Sequence, residues 1–109
     1  MNLKPYLGKT VRITVDRPQG SRHPIWNFVY PINYGHVPGT KAPDGEPIDA
    51  YILDQTKPIK HHMGTCIAII HRKNDDDDKL VIADKTYTDK QILQSVNFQE
   101  QYFDSVVLR

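Results

Sequence analysis

The sequence has a single cysteine, no apolar run long enough to cross a bilayer and almost no imbalance of charge. With Cys66 alone, no internal disulfide can form. It lies in the run Cys66-Ile67-Ala68-Ile69-Ile70, where a free thiol behaves as a small hydrophobe and is expected to be buried. No segment approaches the ~20 apolar residues of a membrane span, and the N-terminal residues lack the apolar stretch of a signal peptide. The expected location is therefore cytoplasmic, with no membrane partner. The 14 basic and 13 acidic side chains leave a formal charge of +1, so there is no global basic field to hold nucleic acid, and any anion must be recognised locally. A Walker loop, a glycine-rich dinucleotide fingerprint and a Gly-x-Ser-x-Gly elbow are all missing, which removes those enzyme classes. At 109 residues the chain is expected to form one domain, 1–109, around one modest core.

What is present reads mainly as strands. From Thr10 to Arg17, Val11, Ile13 and Val15 alternate with polar residues, the period of a half-buried strand, and Pro18-Gln19-Gly20-Ser21 breaks it. Prolines at 24, 31, 38 and 43 with glycines at 35, 39 and 45 exclude a long helix between His23 and Gly45 and predict short strands joined by tight loops. Further strands are predicted at Asp49–Leu53, Thr65–His71 and Leu80–Ala83. Short strands at this spacing suggest a closed or nearly closed barrel. The period then changes. Thr88-Asp89-Lys90-Gln91 fits a capping box, and Ile92, Val96 and Phe103 share a stripe with Leu93 beside them, predicting a helix from about Asp89 to Tyr102 packed on the barrel.

Chemistry concentrates in three places. In Asp44-Gly45-Glu46-Pro47-Ile48-Asp49 three carboxylates fall within six residues, a pattern that supplies oxygen ligands to a hard cation such as Mg²⁺ but equally fits an acidic surface turn. Asp49 would stand at the entrance of a strand whose fixed direction can aim it. The run Asp75-Asp76-Asp77-Asp78-Lys79 fits a solvated hairpin tip, and its four aspartates cannot all be ligands; folded toward the first turn, one or two could complete a metal cluster with Lys79 facing an anion. Tyr34 within Tyr30-Pro31-Ile32-Asn33-Tyr34-Gly35 can donate to a phosphate oxygen or sit in the core with one polar partner. Arg17, Arg22 and His23 gather around the first turn, and a guanidinium fork suits phosphate. His36 and His61-His62 have no Cys or His partner at zinc spacing, so a structural zinc site is not expected.

Taken together, Tyr30 to Thr40 followed by Asp44 to Asp49 resembles the signature region of soluble family I inorganic pyrophosphatases, and Asp77-Asp78-Lys79-Leu80-Val81 is similar to that family's later Asp-x-Lys segment. The resemblance covers most of the chain. It implies a mainly β fold, a five-stranded OB-like β-barrel with a C-terminal helix packed on it. It implies hydrolysis of pyrophosphate to two phosphates by a metal-activated water, with Mg²⁺, or Mn²⁺ in its place, as cofactor, and a homo-oligomer. By position it implies Asp44, Asp49, Asp77 and Asp75 as metal ligands, Glu46, Asp49 and Tyr34 as catalytic residues, and Tyr34, Lys79, Arg22 and Tyr102 as phosphate contacts. Two positions depart from the family. Glu46 stands where members carry Asp, one methylene longer, and a displacement of about 1 Å can cost ~10²-fold in rate. Phe103 stands where the family has a phosphate-binding lysine after the tyrosine. The family's N-terminal Glu, Lys and Arg are not aligned here; Asp16, Arg17 and Arg22 are the candidates to stand in. Two other readings stay open. One is a catalytically impaired homologue that binds metal and phosphate as a sensing module, or acts on another phosphoanhydride. The other is an oligonucleotide-binding OB barrel, which the near-neutral charge and acidic clusters disfavour.

Overall fold

The computed structural model describes residues 2–109. After a short 3-10 turn at Lys4–Tyr6, the chain forms β1 (Thr10–Arg17), β2 (Asn33–His36), β3 (Asp49–Ile52), β4 (His61–Arg72), β5 (Lys79–Ile82), α1 (Asp89–Glu100) and β6 (Ser105–Leu108). The hydrogen-bonded order is β1-β2-β3-β5-β4, and β1 pairs again with β4, which closes five strands into a barrel. All the barrel pairs are antiparallel except β3 with β5. The predicted five-stranded barrel with one helix is therefore the fold.

Each boundary has a local cause. Strand β1 begins and ends as its alternation predicts, with Val11 and Ile13 buried. Gly35 in β2 is required by close approach, because a Cβ there would lie 2.1 Å from the Thr14 carbonyl oxygen of β1. Strand β4 is longer than its apolar run: its first residues pair with β1, its middle with β5 and its end with β6, and a register shift between Cys66 and Ala68 turns it along the barrel. All of β5 is buried, Leu80 and Ile82 toward the barrel interior with Ile13, Ile52 and Cys66, and Val81 toward the helix with Tyr51, Ile70, Ile92 and Val96. That is why it reads as a continuous apolar run rather than an alternation. Burial of Ile92 and Val96 contributes roughly 1.5–3 kcal/mol each and docks α1.

The capping box is present: the Gln91 amide donates to Thr88 Oγ1 at 3.1 Å and the Thr88 amide to Gln91 Oε1 at 2.9 Å. The helix ends at Glu100, earlier than predicted, and Phe103 lies beyond it in the turn leading to β6. Leu93 is exposed. The strand Ser105–Leu108 was not expected from the sequence; it pairs with the last turn of β4, Ile69 to Arg72, and so pins the segment after α1 against the barrel. Cys66 is fully buried, as expected, and burial raises its thiol pKa to about 11.

Candidate active site

The parallel pair β3 and β5 begins side by side, which brings Asp49 and Lys79, the first residue of each, to the same end of the barrel. The last residue of β4, Arg72, arrives there from the antiparallel neighbour. Together with Tyr34 of β2, Asp77 before β5, Gln99 of α1 and the Tyr102-Phe103 turn they line a cavity of about 340 Å³, closed on one side by His23, Trp26 and Phe28.

Two buried cations organise it. Lys79 Nζ donates to Asp49 Oδ2 and to Asp77 Oδ2, both at 3.0 Å. Burial opposes the ammonium charge, but the Tyr34 hydroxyl, Asp49 and Asp77 outweigh that and hold the Lys79 pKa above its ordinary value. Arg72 forks onto Glu100, Nε to Oε1 at 3.0 Å and Nη2 to Oε2 at 2.7 Å. Glu100 also accepts from the Tyr51 and Ser105 hydroxyls, at 2.6 Å each. Its burial would raise the carboxyl pKa, but the bonds from Arg72, Ser105 and Tyr51 win and lower it. The remaining guanidinium nitrogen, Nη1, stands 3.7 Å from Asp75 Oδ2 and 4.0 Å from Asp77 Oδ2. Burial raises the Asp77 pKa, with Lys79 opposing and the charges of Asp49 and Asp44 reinforcing the rise.

An aromatic wall backs these charges. Tyr30, Tyr34, Tyr51 and Phe98 pack together in tilted and edge-to-face arrangements with ring centroids 5.0 to 5.9 Å apart. Burial there pushes the Tyr34 hydroxyl pKa well above its ordinary value, so near neutral pH it is a hydrogen-bond donor. Lys79 Nζ lies 5.7 Å from its ring centre.

Of the residues singled out in the sequence, His23, Tyr34, Asp49, Asp77, Lys79, Tyr102 and Phe103 line this cavity. The others lie outside its lining. Asp44 and Glu46 are exposed in their turn, where Asp44 Oδ1 accepts from the Glu46 amide at 2.9 Å. Asp75 accepts from the Asp77 amide and faces Arg72. Arg22 is exposed, with Nη1 bonded to the Asn27 carbonyl at 3.3 Å. Asp16 pairs with His36 at 2.7 Å, and Arg17 acts on Tyr30 and His23. The cation that Phe103 lacks is supplied from another strand: the Arg72 guanidinium lies over the Phe103 ring, 3.6 Å from its centre. Sequence reasoning missed Arg72, Gln99 and Glu100. The only signal for them was an arginine directly after an apolar strand and a glutamate on a helix, 28 residues apart.

The donor set suits one hard divalent ion. Asp49 commits only Oδ2 to Lys79, and Asp77 Oδ1 is buried without a hydrogen-bond partner, so both carboxylates keep an oxygen for a cation.

The closed barrel thus gathers acidic and basic side chains around one cavity, an arrangement suited to holding an anion beside a metal ion. Comparison with known families matches residues 8–107 to the inorganic pyrophosphatase family. The chain belongs to that family. Among solved structures it is similar to the inorganic pyrophosphatase of Ehrlichia chaffeensis, with a TM-score of 0.71 at 17% identity over 91% of this chain and 84% of that one. The Helicobacter pylori inorganic pyrophosphatase aligns with a TM-score of 0.65 at 18% identity, over 91% of this chain and 81% of its own. That of Thermus thermophilus aligns with 0.63 at 15% identity, over 100% and 84%. At such identities the likeness is one of fold. No curated protein matches the chain.

Proposed function

We propose that residues 1–109 act as one domain that hydrolyses inorganic pyrophosphate to two phosphates in the cavity between Asp49, Lys79 and Arg72. The observation that carries this reading is Lys79 Nζ held midway between Asp49 and Asp77 beside the free Nη1 of Arg72, two cations and two carboxylates facing one anion-sized space.

In this reading Lys79, Arg72 Nη1 and the Tyr34 hydroxyl receive phosphate oxygens, with Tyr102 at the open side of the cavity. Asp49 and Asp77 hold Mg²⁺, and Asp44 adds negative charge from its turn. When bound, the ion neutralises phosphate oxygens and acidifies water. Asp49, the more exposed of the two carboxylates, would orient the attacking water, whose proton leaves to solvent as the oxygen bonds to phosphorus and the bridging P–O bond breaks. The leaving phosphate carries away the bond's electron pair, stabilised by Lys79 and Arg72. Glu46 stays on the exposed turn and is given no proton to move. The aromatic wall excludes water from the far side, which strengthens each charge interaction.

One observation favours a second reading. Lys79 is already held by Asp49 and Asp77, and Arg72 by Glu100, so both cations are fixed in place and the cavity is able to hold a phosphate without turnover. Phosphate release from pyrophosphate, measured in Mg²⁺ and then Mn²⁺ beside an Asp49→Asn variant, separates the two. Metal-dependent turnover that falls at least ~10²-fold in the variant is expected. No turnover in either metal, with phosphate still bound, would leave an anion-binding module.

A further inference from the structure

The strands that begin at the cavity end at a second cluster. Five residues beyond Asp49 lies Asp54, and five beyond Lys79 lies Asp84, so a rise of ~3.3 Å per residue sets these positions roughly 16 Å from the first along the parallel pair. The antiparallel β4 starts at this same end, and its second residue is His62. Carboxylate oxygens of Asp54 and Asp84 and a ring nitrogen of His62 all lie within 4.8 Å of one another. His62 Nε2 is 3.9 Å from Asp84 Oδ2, too far for a hydrogen bond.

Two of these donor atoms are unpaired where pairing is normally enforced. Asp54 Oδ1 and His62 Nε2 are both buried from solvent, and neither has a hydrogen-bond partner among the described residues. Leaving a buried polar atom unsatisfied costs about 1–3 kcal/mol, so the pair calls for a third party. Nor is the arrangement loose. Asp54 Oδ2 accepts from the amides of Asp84 and Lys85, which fixes the carboxylate and turns Oδ1 inward. Gly64 makes room for the imidazole: a Cβ at that position would lie 2.9 Å from His62 Nε2 and 2.6 Å from Ile82 Cγ2.

We propose that Asp54, His62 and Asp84 form a binding site for a divalent transition-metal ion of the Zn²⁺ class, separate from the cavity and independent of the function proposed for it. One imidazole nitrogen with two carboxylate oxygens suits Zn²⁺ and its neighbours, whereas Mg²⁺ prefers oxygen alone. Tetrahedral ligands at ~2.1 Å from an ion stand about 3.4 Å apart, so closure from donors within 4.8 Å of one another needs only local side-chain movement, to which the exposed Asp84 contributes. Sequence spacing gave His62 no Cys or His partner because its partners are aspartates at the ends of two other strands. The ion would clip the ends of β3 and β5 to the start of β4, a stabilising role rather than a catalytic one.

The test uses Zn²⁺ as the probe, with calorimetric titration, thermal unfolding and the imidazole resonances of the intact chain. Zn²⁺ is expected to bind, to raise Tm where the same concentration of Mg²⁺ does not, and to move the His62 resonances. Asp84→Asn, at an exposed position that carries no fold contact through its side chain beyond this cluster, and His62→Gln should each weaken Zn²⁺ binding at least tenfold and abolish the Tm shift. Asp49→Asn should remove only ions bound in the cavity and leave the His62 shift and the Zn²⁺-specific rise in Tm intact. A Zn²⁺ isotherm unchanged in both cluster variants, or His62 resonances unmoved while zinc binds, would overturn the site.

Discussion

The two ends of the parallel strand pair treat charge in opposite ways. At the cavity end, Lys79 and Arg72 meet Asp49, Asp77 and Glu100 within 2.7–3.0 Å, so the protein offsets most of its own carboxylate charge with cations. At the far end, Asp54, His62 and Asp84 converge with no lysine or arginine inside ion-pairing distance among the described residues. The first end holds its cations in fixed positions, with Asp49 and Asp77 keeping an oxygen each, so an anion would enter there together with a metal ion. The second is arranged for an incoming cation. The same strands present both because each contributes a charged residue at its entrance and another just past its exit, with no charged side chain between.

The comparison is broken most severely at Arg72. Arg72→Met should leave Glu100 buried without its ion partner and cost about 3–5 kcal/mol in denaturant unfolding, while also weakening phosphate binding. Next comes acid. The Glu100 pKa is depressed in the folded chain, so its contribution is fully present above the unfolded value of 4.5 and is lost as pH falls through the lower folded value. Stability followed by circular dichroism should therefore drop below about pH 4.5, and Glu100→Gln should flatten that part of the profile. The smallest effect belongs to the far end, where α1 starts. Thr88→Ala removes one half of the capping box and should lower stability by ~1 kcal/mol without altering pyrophosphate turnover. Equal losses from Arg72→Met and Thr88→Ala would contradict the picture of a charge-locked cavity end.

Much of this was legible in the chain, and the exceptions share a cause. Strand β1 followed from alternation, β5 from an unbroken apolar run, and α1 from Thr88 and Gln91, because each signal is local and periodic. Strand β6 escaped notice. Ser-Val-Val-Leu is short and half-buried, and only pairing with the end of β4 makes it a strand. Phe103 was read as part of a helical stripe, whereas the helix ends at Glu100 to let the chain turn into β6. In the cavity, Tyr34, Asp49, Asp77 and Lys79 were legible through the resemblance of their motifs. Arg72 and Glu100 were not, since an ion pair between a strand end and a helix end leaves no spacing pattern.

The sequence by itself carried the strands and helix, the suggestion of a closed barrel, and the acidic and aromatic segments from which a site is drawn, because periodicity and turn chemistry act over a few positions; the family followed from the resemblance of its motifs. Only the tertiary structure decided which charges meet. Lys79 stands between Asp49 and Asp77, Arg72 replaces at Phe103 a cation the chain lacks there, and His62 finds two aspartates from other strands. The physical reason is that strand register and barrel closure, not distance along the chain, set which side chains share a few ångströms of space.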